Sequence, residues 1–66
     1  MLDKNNIGPG SIVKVKTWEN TVVVGTVDDV DYEGKNGMAT FGYVMDNGEG
    51  RWAYFNQIAD VIALWL

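Results

Sequence analysis

Four carboxylates fall within six residues in the middle of the chain, a spacing that could collect a divalent cation. They are Asp28, Asp29, Asp31 and Glu33. Oxygen ligands of this kind suit Ca²⁺ or Mg²⁺, and the stretch from Asp29 begins like a calcium loop. The twelfth position of that loop, where a bidentate glutamate belongs, is Thr40. The cluster therefore predicts a solvated strand end that repels phosphate, and no metal site.

Three aromatic and three polar side chains form a second candidate constellation. They are Tyr32, Tyr54, Phe55, Lys35, Asn36 and Asn56. Aromatic rings stack on the bases of single-stranded nucleic acid, and amides hydrogen-bond to base edges. The alternative is that the rings fill a small core and the asparagines form turns. The residues alone leave both interpretations open.

Two further groups of residues are candidates for surface contacts. Lys14 and Lys16 share one strand face and, with Arg51, could contact phosphate, although such patches commonly serve solubility alone. Trp18 and Trp52 could form an aromatic groove for a proline-rich peptide. They are far apart in sequence, so their meeting depends on the fold.

Catalysis has little support in the sequence. The chain has no His and no Cys, and Ser11, its only Ser, lies beside a Gly-Pro-Gly turn without an evident partner. An ordinary nucleophile and base pair is therefore missing. The residue types predict a protein that is not an enzyme and that binds no cofactor.

Length and charge narrow the class of protein. A chain of 66 residues holds one small core and is only marginally stable alone, which favours oligomerisation. The net charge of −4 lacks the basic footprint of a binder of double-stranded nucleic acid. The longest apolar run, 61–66, is far below the roughly 20 residues of a membrane span. Without a signal pattern, the chain is predicted to be soluble and cytoplasmic, with no membrane contact.

Strand-favouring residues must position these side chains. Val, Ile, Thr, Tyr, Phe and Trp supply 25 of the 66 residues, whereas Ala and Leu supply seven. Glycine, proline and asparagine clusters divide the chain into strands at 11–17, 21–32, 38–46, 51–55 and from 58 or 60 to 66. Asn36-Gly37 and Asn47-Gly48 predict tight turns. The long second strand changes its apolar phase around Gly25, which predicts a bend or bulge there.

These elements predict an all-β fold with little or no helix. Residues 1–10 are expected to be an N-terminal leader with at most one helical turn, and residues 11–66 a single small β-barrel domain. The last strand is apolar on both faces, and proteins normally pair or charge such an edge. We therefore expect it to meet a second copy of the chain through Val61, Ile62, Leu64, Trp65 and Leu66.

The strand pattern resembles a known fold family. Five strands, a long bent second strand and a very short link before the last resemble the SH3-like small barrel. Within that fold, residues 12–15 and 18–31 resemble the first motif of Sm and LSm proteins, in which an Asp follows the Gly of the bent strand by six residues, as Asp31 follows Gly25. The family's Asn falls one position late, at Asn36, and its Arg-Gly falls on Tyr54-Phe55 or Phe55-Asn56.

The resemblance implies a homo-oligomeric ring in which the fourth strand of one subunit pairs with the fifth strand of the next. It also implies that pore loops hold one base of single-stranded RNA or DNA per subunit. Those loops carry Asp31, Tyr32, Lys35 and Asn36 on one side, and Tyr54, Phe55 and Asn56 on the other. The leading expectation is thus a non-enzymatic, Sm-like, ring-forming protein. The alternative is an SH3-like adaptor that binds a protein partner, which the acidic balance favours.

Overall fold

The computed structural model describes residues 3–64, which form five antiparallel strands and two single helical turns. The strands are β1 (Ile12–Lys16), β2 (Val22–Lys35), β3 (Met38–Met45), β4 (Gly50–Tyr54) and β5 (Ile58–Ala63). The turns are three-residue 3₁₀ segments at Lys4–Asn6 and Phe55–Gln57. The prediction of a five-stranded, all-β, barrel-like fold with little helix is confirmed. No helix among residues 3–64 is long and apolar enough to cross a membrane.

The sheet has the order β4-β3-β2-β1-β5. The first half of β2 pairs with β1, and its second half pairs with β3. This 14-residue strand therefore belongs to both walls of the barrel-like fold, one formed with β1 and β5 and the other with β3 and β4. The order leaves β4 and β5 at the two ends. Both predicted tight turns are present, with Asn36 and Gly48 at positive φ.

The register of β2 against β3 shifts at Asp28 and again between Asp31 and Lys35, so no bulge lies at Gly25, around which the sequence predicted a bend or bulge. Gly25 pairs regularly with Val13 and Met45. The register with β3 then skips Asp28, and this bulge moves the inward face from Val27 to the half-buried Val30. Gly25 is required for a different reason: a Cβ there would collide with the ring of Tyr43, which lies against its backbone.

The core lies between the two walls and includes the 3₁₀ turn before β5. Its buried apolar residues are Ile7, Val13, Val15, Val27, Phe41, Tyr43, Ala53, Phe55, Ile58 and Val61. Ile7 is 3% exposed, so the core extends into the segment expected to be a leader. Along β3 and β4, buried and more exposed side chains alternate as the apolar pattern of the sequence predicted, because successive side chains point to opposite faces of a strand.

Candidate aromatic binding surface

Three aromatic side chains meet on the surface at the outer side of β4. The ring centroids of Trp18 and Trp52 are 5.4 Å apart, those of Trp52 and Tyr54 are 5.3 Å apart, and those of Trp18 and Tyr54 are 5.9 Å apart. All three pairs are edge-to-face, a favourable arrangement for aromatic rings. Trp18 remains 59% exposed and Trp52 39% exposed. We call Trp18, Trp52 and Tyr54 the aromatic ridge.

The alternation of β4 and a tight turn position the ridge. Trp52 and Tyr54 project from one face of β4, while Ala53 points into the core from the other. Trp18 lies in the turn between β1 and β2. That turn is closed by Thr17 and Thr21, whose hydroxyls share a 2.7 Å hydrogen bond while the Thr17 amide donates to the Thr21 carbonyl at 2.7 Å.

An ion-pair network fixes the turn against β4. The Arg51 Nη1 atom is 3.1 Å from Glu19 Oε1, and its Nε atom is 2.6 Å from Glu49 Oε2. Both hydrogen-bonded carboxylates raise the pKa of Arg51 above its ordinary value, that of Glu49 more than that of Glu19. Tyr43, opposite Arg51 in the sheet, has a raised pKa mainly because it is buried. The network is largely exposed, so it contributes little to stability, and it joins β4 to the turn that bears Trp18.

Gln57 links the strand that bears the ridge to β1. Its Oε1 atom accepts the Tyr54 amide at 2.9 Å, and its Nε2 atom donates to the Lys16 carbonyl at 3.0 Å. Beside Tyr54 and Trp18 lies an open groove of ≈ 410 Å³. Lys16, Thr17, Met38, Asn56 and Gln57 complete its lining. The groove thus offers apolar ring faces next to hydrogen-bonding groups.

The turn between β2 and β3 adds two polar contacts to the ridge. The Lys35 ammonium lies 5.0 Å from the Trp52 ring centroid, a cation–π contact. The Asn36 Nδ2 atom donates to the Tyr54 hydroxyl at 3.2 Å. Both residues were predicted as site residues, and the fold brings them to the ridge.

The other predicted site residues lie in different surroundings. Phe55 is 8% exposed and packs on Phe41, so its ring belongs to the core. Tyr32 is 63% exposed and lies over Phe55, not at the ridge. The Asp31 Oδ1 atom accepts the amides of Glu33 and Gly34 at 3.0 Å, so this carboxylate shapes the end of β2. Asn56 lines the groove beside Tyr54.

Two acidic residues of β2, Asp29 and Asp31, share the sheet face that carries the ridge. Asp29 pairs with Gly42, which pairs with Trp52, and Asp31 reaches Tyr54 through Thr40 in the same way. Two strand spacings separate these carboxylates from the ridge, about 10 Å between backbones. Asp28 and Glu33 are exposed as well. In residues 3–64, no three acidic, His or Cys side chains are grouped so that they could hold a metal ion.

The basic patch predicted from the sequence is divided. Lys14 and Lys16 point to water from β1, whereas Arg51 is taken up by Glu19 and Glu49. Arg51 is therefore an anchor for the turn that carries Trp18, and the free cations near the ridge are lysines.

The residues predicted to meet a second copy also differ in exposure. Val61 is 8% exposed and lies in the core, and Leu64 packs partly buried against the core. Ile62 is 46% exposed on β5. Trp65 and Leu66 lie outside the described residues.

Sequence reasoning considered Trp18 and Trp52 as a groove but did not include Tyr54 or Gln57 with them. The available signal was the Trp52-Ala-Tyr54 spacing, which places both rings on one strand face. Comparison with known proteins adds no relative: no family model, no curated protein and no solved structure matches this chain. The resemblance to Sm and LSm proteins stays a prediction.

Proposed function

We propose that this protein is a non-enzymatic binding module that holds an extended segment of a protein partner on its aromatic ridge. The observation that carries the proposal is the exposed contact of Trp18, Trp52 and Tyr54 beside an open groove. Aromatic-lined grooves bind proline-rich segments because a polyproline II helix is already extended and loses little entropy on binding. The hydroxyl of Tyr54 and the amide of Asn56 supply partners for the peptide backbone, while Gln57 holds the wall of the groove.

Charge favours a peptide over a nucleic acid as the occupant. A nucleic-acid strand carries one negative charge per nucleotide and must be neutralised along its length. The chain has a net charge of −4, and Asp29 and Asp31 lie exposed on the same sheet face as the ridge. A short peptide can contact the ridge without crossing these carboxylates.

A titration followed by NMR tests this function. The probe is a short uncharged peptide of prolines and leucines with blocked ends, and we expect it to shift the indole N–H signals of Trp18 and Trp52. Trp18→Ala should weaken binding about tenfold, because loss of a stacked ring costs on the order of 1–2 kcal/mol. Trp18 is largely exposed, so the variant keeps its fold.

Tyr32→Ala is the matched control, since Tyr32 is equally exposed but lies away from the ridge. Its peptide affinity should equal that of the wild type. Oligo-uridine serves as the competing probe at low salt. The peptide proposal is wrong if oligo-uridine binds and the peptide does not, above all if Tyr32→Ala weakens that binding.

A second candidate is the Sm-like ring that binds single-stranded RNA or DNA. It is favoured by the sheet order, which leaves β4 and β5 as end strands, and by the exposure of Ile62 on β5. Those are the strands that the resemblance pairs between subunits. Against it, the Tyr54 amide of β4 already donates to Gln57 and is not free for a neighbouring strand.

Light scattering after size-exclusion chromatography tests the ring. A ring predicts a stable assembly of several subunits that Ile62→Asp dissociates, because a charge is costly in a buried strand interface. Val22→Asp is the control, since Val22 is 57% exposed on β2 and away from both end strands. A wild-type monomer at all concentrations would exclude the ring and leave the peptide module.

A further inference from the structure

Two lysines without ion-pair partners border the aromatic ridge. The Lys35 ammonium lies over the Trp52 ring, and Lys16 lines the groove beside Trp18 and Tyr54. In the part of the chain that the structure describes, both ion pairs belong to Arg51, and neither lysine lies within 4.0 Å of a carboxylate. These ammonium groups are therefore available to a ligand.

The local charge at the ridge differs from the charge of the whole chain. Arg51 and its two glutamates form one network with a net charge of −1, while the side chains that line the groove include one cation and no anion. Exposed charges farther away than about 8 Å are largely screened at physiological salt. With Lys16 and Lys35 added to this network, the charges beside the ridge sum to +1, although the net charge of the chain is −4.

We propose that the segment bound by the ridge is acidic: an extended peptide whose apolar residues contact Trp18 and Tyr54 and whose carboxylates reach Lys16 and Lys35. This inference rests on the proposed peptide-binding function and adds the chemistry of the partner. The apolar contact buries surface area and so contributes affinity. The two ammonium groups select the orientation and the charge of the bound segment.

The acidic half of β2 limits how much negative charge the partner carries. Asp29 and Asp31 stand two strands from the ridge on the same face. One or two carboxylates of the peptide, placed beside its apolar residues, can pair with the lysines and stay clear of Asp29 and Asp31. A continuous phosphate backbone has no such freedom, which makes an oligonucleotide the poorer occupant.

Isothermal titration calorimetry at low and at physiological salt tests the inference with three peptides. All three have blocked ends and share the same core of prolines and leucines. One is uncharged, one carries two aspartates beside the core, and one carries two lysines there. We expect the acidic peptide to bind roughly threefold to tenfold more tightly than the uncharged one, because each exposed ion pair contributes modestly. The basic peptide should bind more weakly, and added salt should reduce both differences.

Charge reversal identifies the groups responsible. Lys35→Glu and Lys16→Glu should each remove the preference for the acidic peptide, and the double variant should prefer the basic one. Lys14→Glu is the matched control, because Lys14 is exposed on the same face of β1 but does not line the groove. It makes the same change in net charge and should leave the order of affinities unaltered.

The outcomes separate this inference from the function on which it rests. Equal binding of all three peptides overturns the acidic partner and leaves the peptide module standing. Binding of none of them overturns both. Tighter binding of oligo-uridine than of the acidic peptide assigns the lysines to phosphate and also overturns the inference. An equal effect of Lys14→Glu would show that net charge, and not Lys16 and Lys35, decides the preference.

Discussion

Replacing Phe41 by alanine is expected to lower the free energy of unfolding by about 3–5 kcal/mol. The side chain is 2% exposed, and its ring packs 5.7 Å from that of Tyr43 and 5.8 Å from that of Phe55, between centroids. Phe41 lies in the central region of β3, so neighbouring side chains cannot collapse far into the space that it leaves. The variant loses both the burial of the ring and the packing around it.

This loss is large for so small a domain. Stabilities near 0.05–0.15 kcal/mol per residue give a domain of this length a total of about 3–10 kcal/mol. Urea unfolding followed by tryptophan fluorescence and circular dichroism measures the change directly. We expect Phe41→Ala to be substantially unfolded without denaturant if the wild type lies in the lower half of that range.

Val44→Ala in the same strand is the control. Val44 is 37% exposed on the outer face, so its truncation should change the unfolding free energy by less than about 1 kcal/mol. A loss below about 1 kcal/mol in Phe41→Ala would contradict the core described above, because truncating a buried phenylalanine to alanine costs about 3–5 kcal/mol.

The strands and their faces were predictable because they depend on local patterns. Val13 and Val15 alternate with lysines, and Phe41 and Tyr43 alternate with small residues, so period two alone gives the inward face. Asn36-Gly37 and Asn47-Gly48 marked turns for the same reason, since both accept positive φ. These features need no knowledge of the rest of the chain.

The sequence did not locate the bulges in β2, because two different causes look alike in sequence. A glycine in a strand indicates either a bend or a close approach by a neighbour. At Gly25 the cause is the Tyr43 ring, whereas the register first changes at Asp28, where no glycine marks the position. The neighbouring strand decides between a bend and a close approach, and the local sequence pattern does not show which strand that is.

Only part of the candidate site was predictable from the sequence. Tyr54 and Phe55 were both expected to contact a ligand, yet neighbouring residues at a strand end point to opposite sides, and only Tyr54 reaches the surface. The rule that successive strand residues point to opposite faces, applied to the site as strictly as to the core, would have separated Tyr54 from Phe55. The contact of Trp18 with Trp52 depends on the barrel bringing a turn against β4, through Glu19 and Arg51, and local patterns do not encode it.

Replacing Gly34 by alanine is expected to lower the free energy of unfolding by about 2–5 kcal/mol. Gly34 has φ +29, in the range that L side chains rarely adopt, and a Cβ there would collide with the backbone carbonyl oxygen of Met38 and lie 2.8 Å from the Thr40 side chain. A backbone atom cannot rotate aside, so the end of the β2–β3 hairpin must shift. Strained backbone and overpacking both add to the cost.

Gly37→Ala in the same turn separates these two contributions. Gly37 has φ +71 with no atom within 4 Å of an added Cβ, so this variant bears the backbone strain alone, about 1–2 kcal/mol. Urea unfolding of the two variants should therefore give clearly unequal losses, and equal losses would contradict the close approach of Met38 to Gly34. The hairpin also carries Lys35 and Asn36 to the ridge. For that reason the indole N–H signal of Trp52 should move in Gly34→Ala even where the protein remains folded, and it should move less in Gly37→Ala.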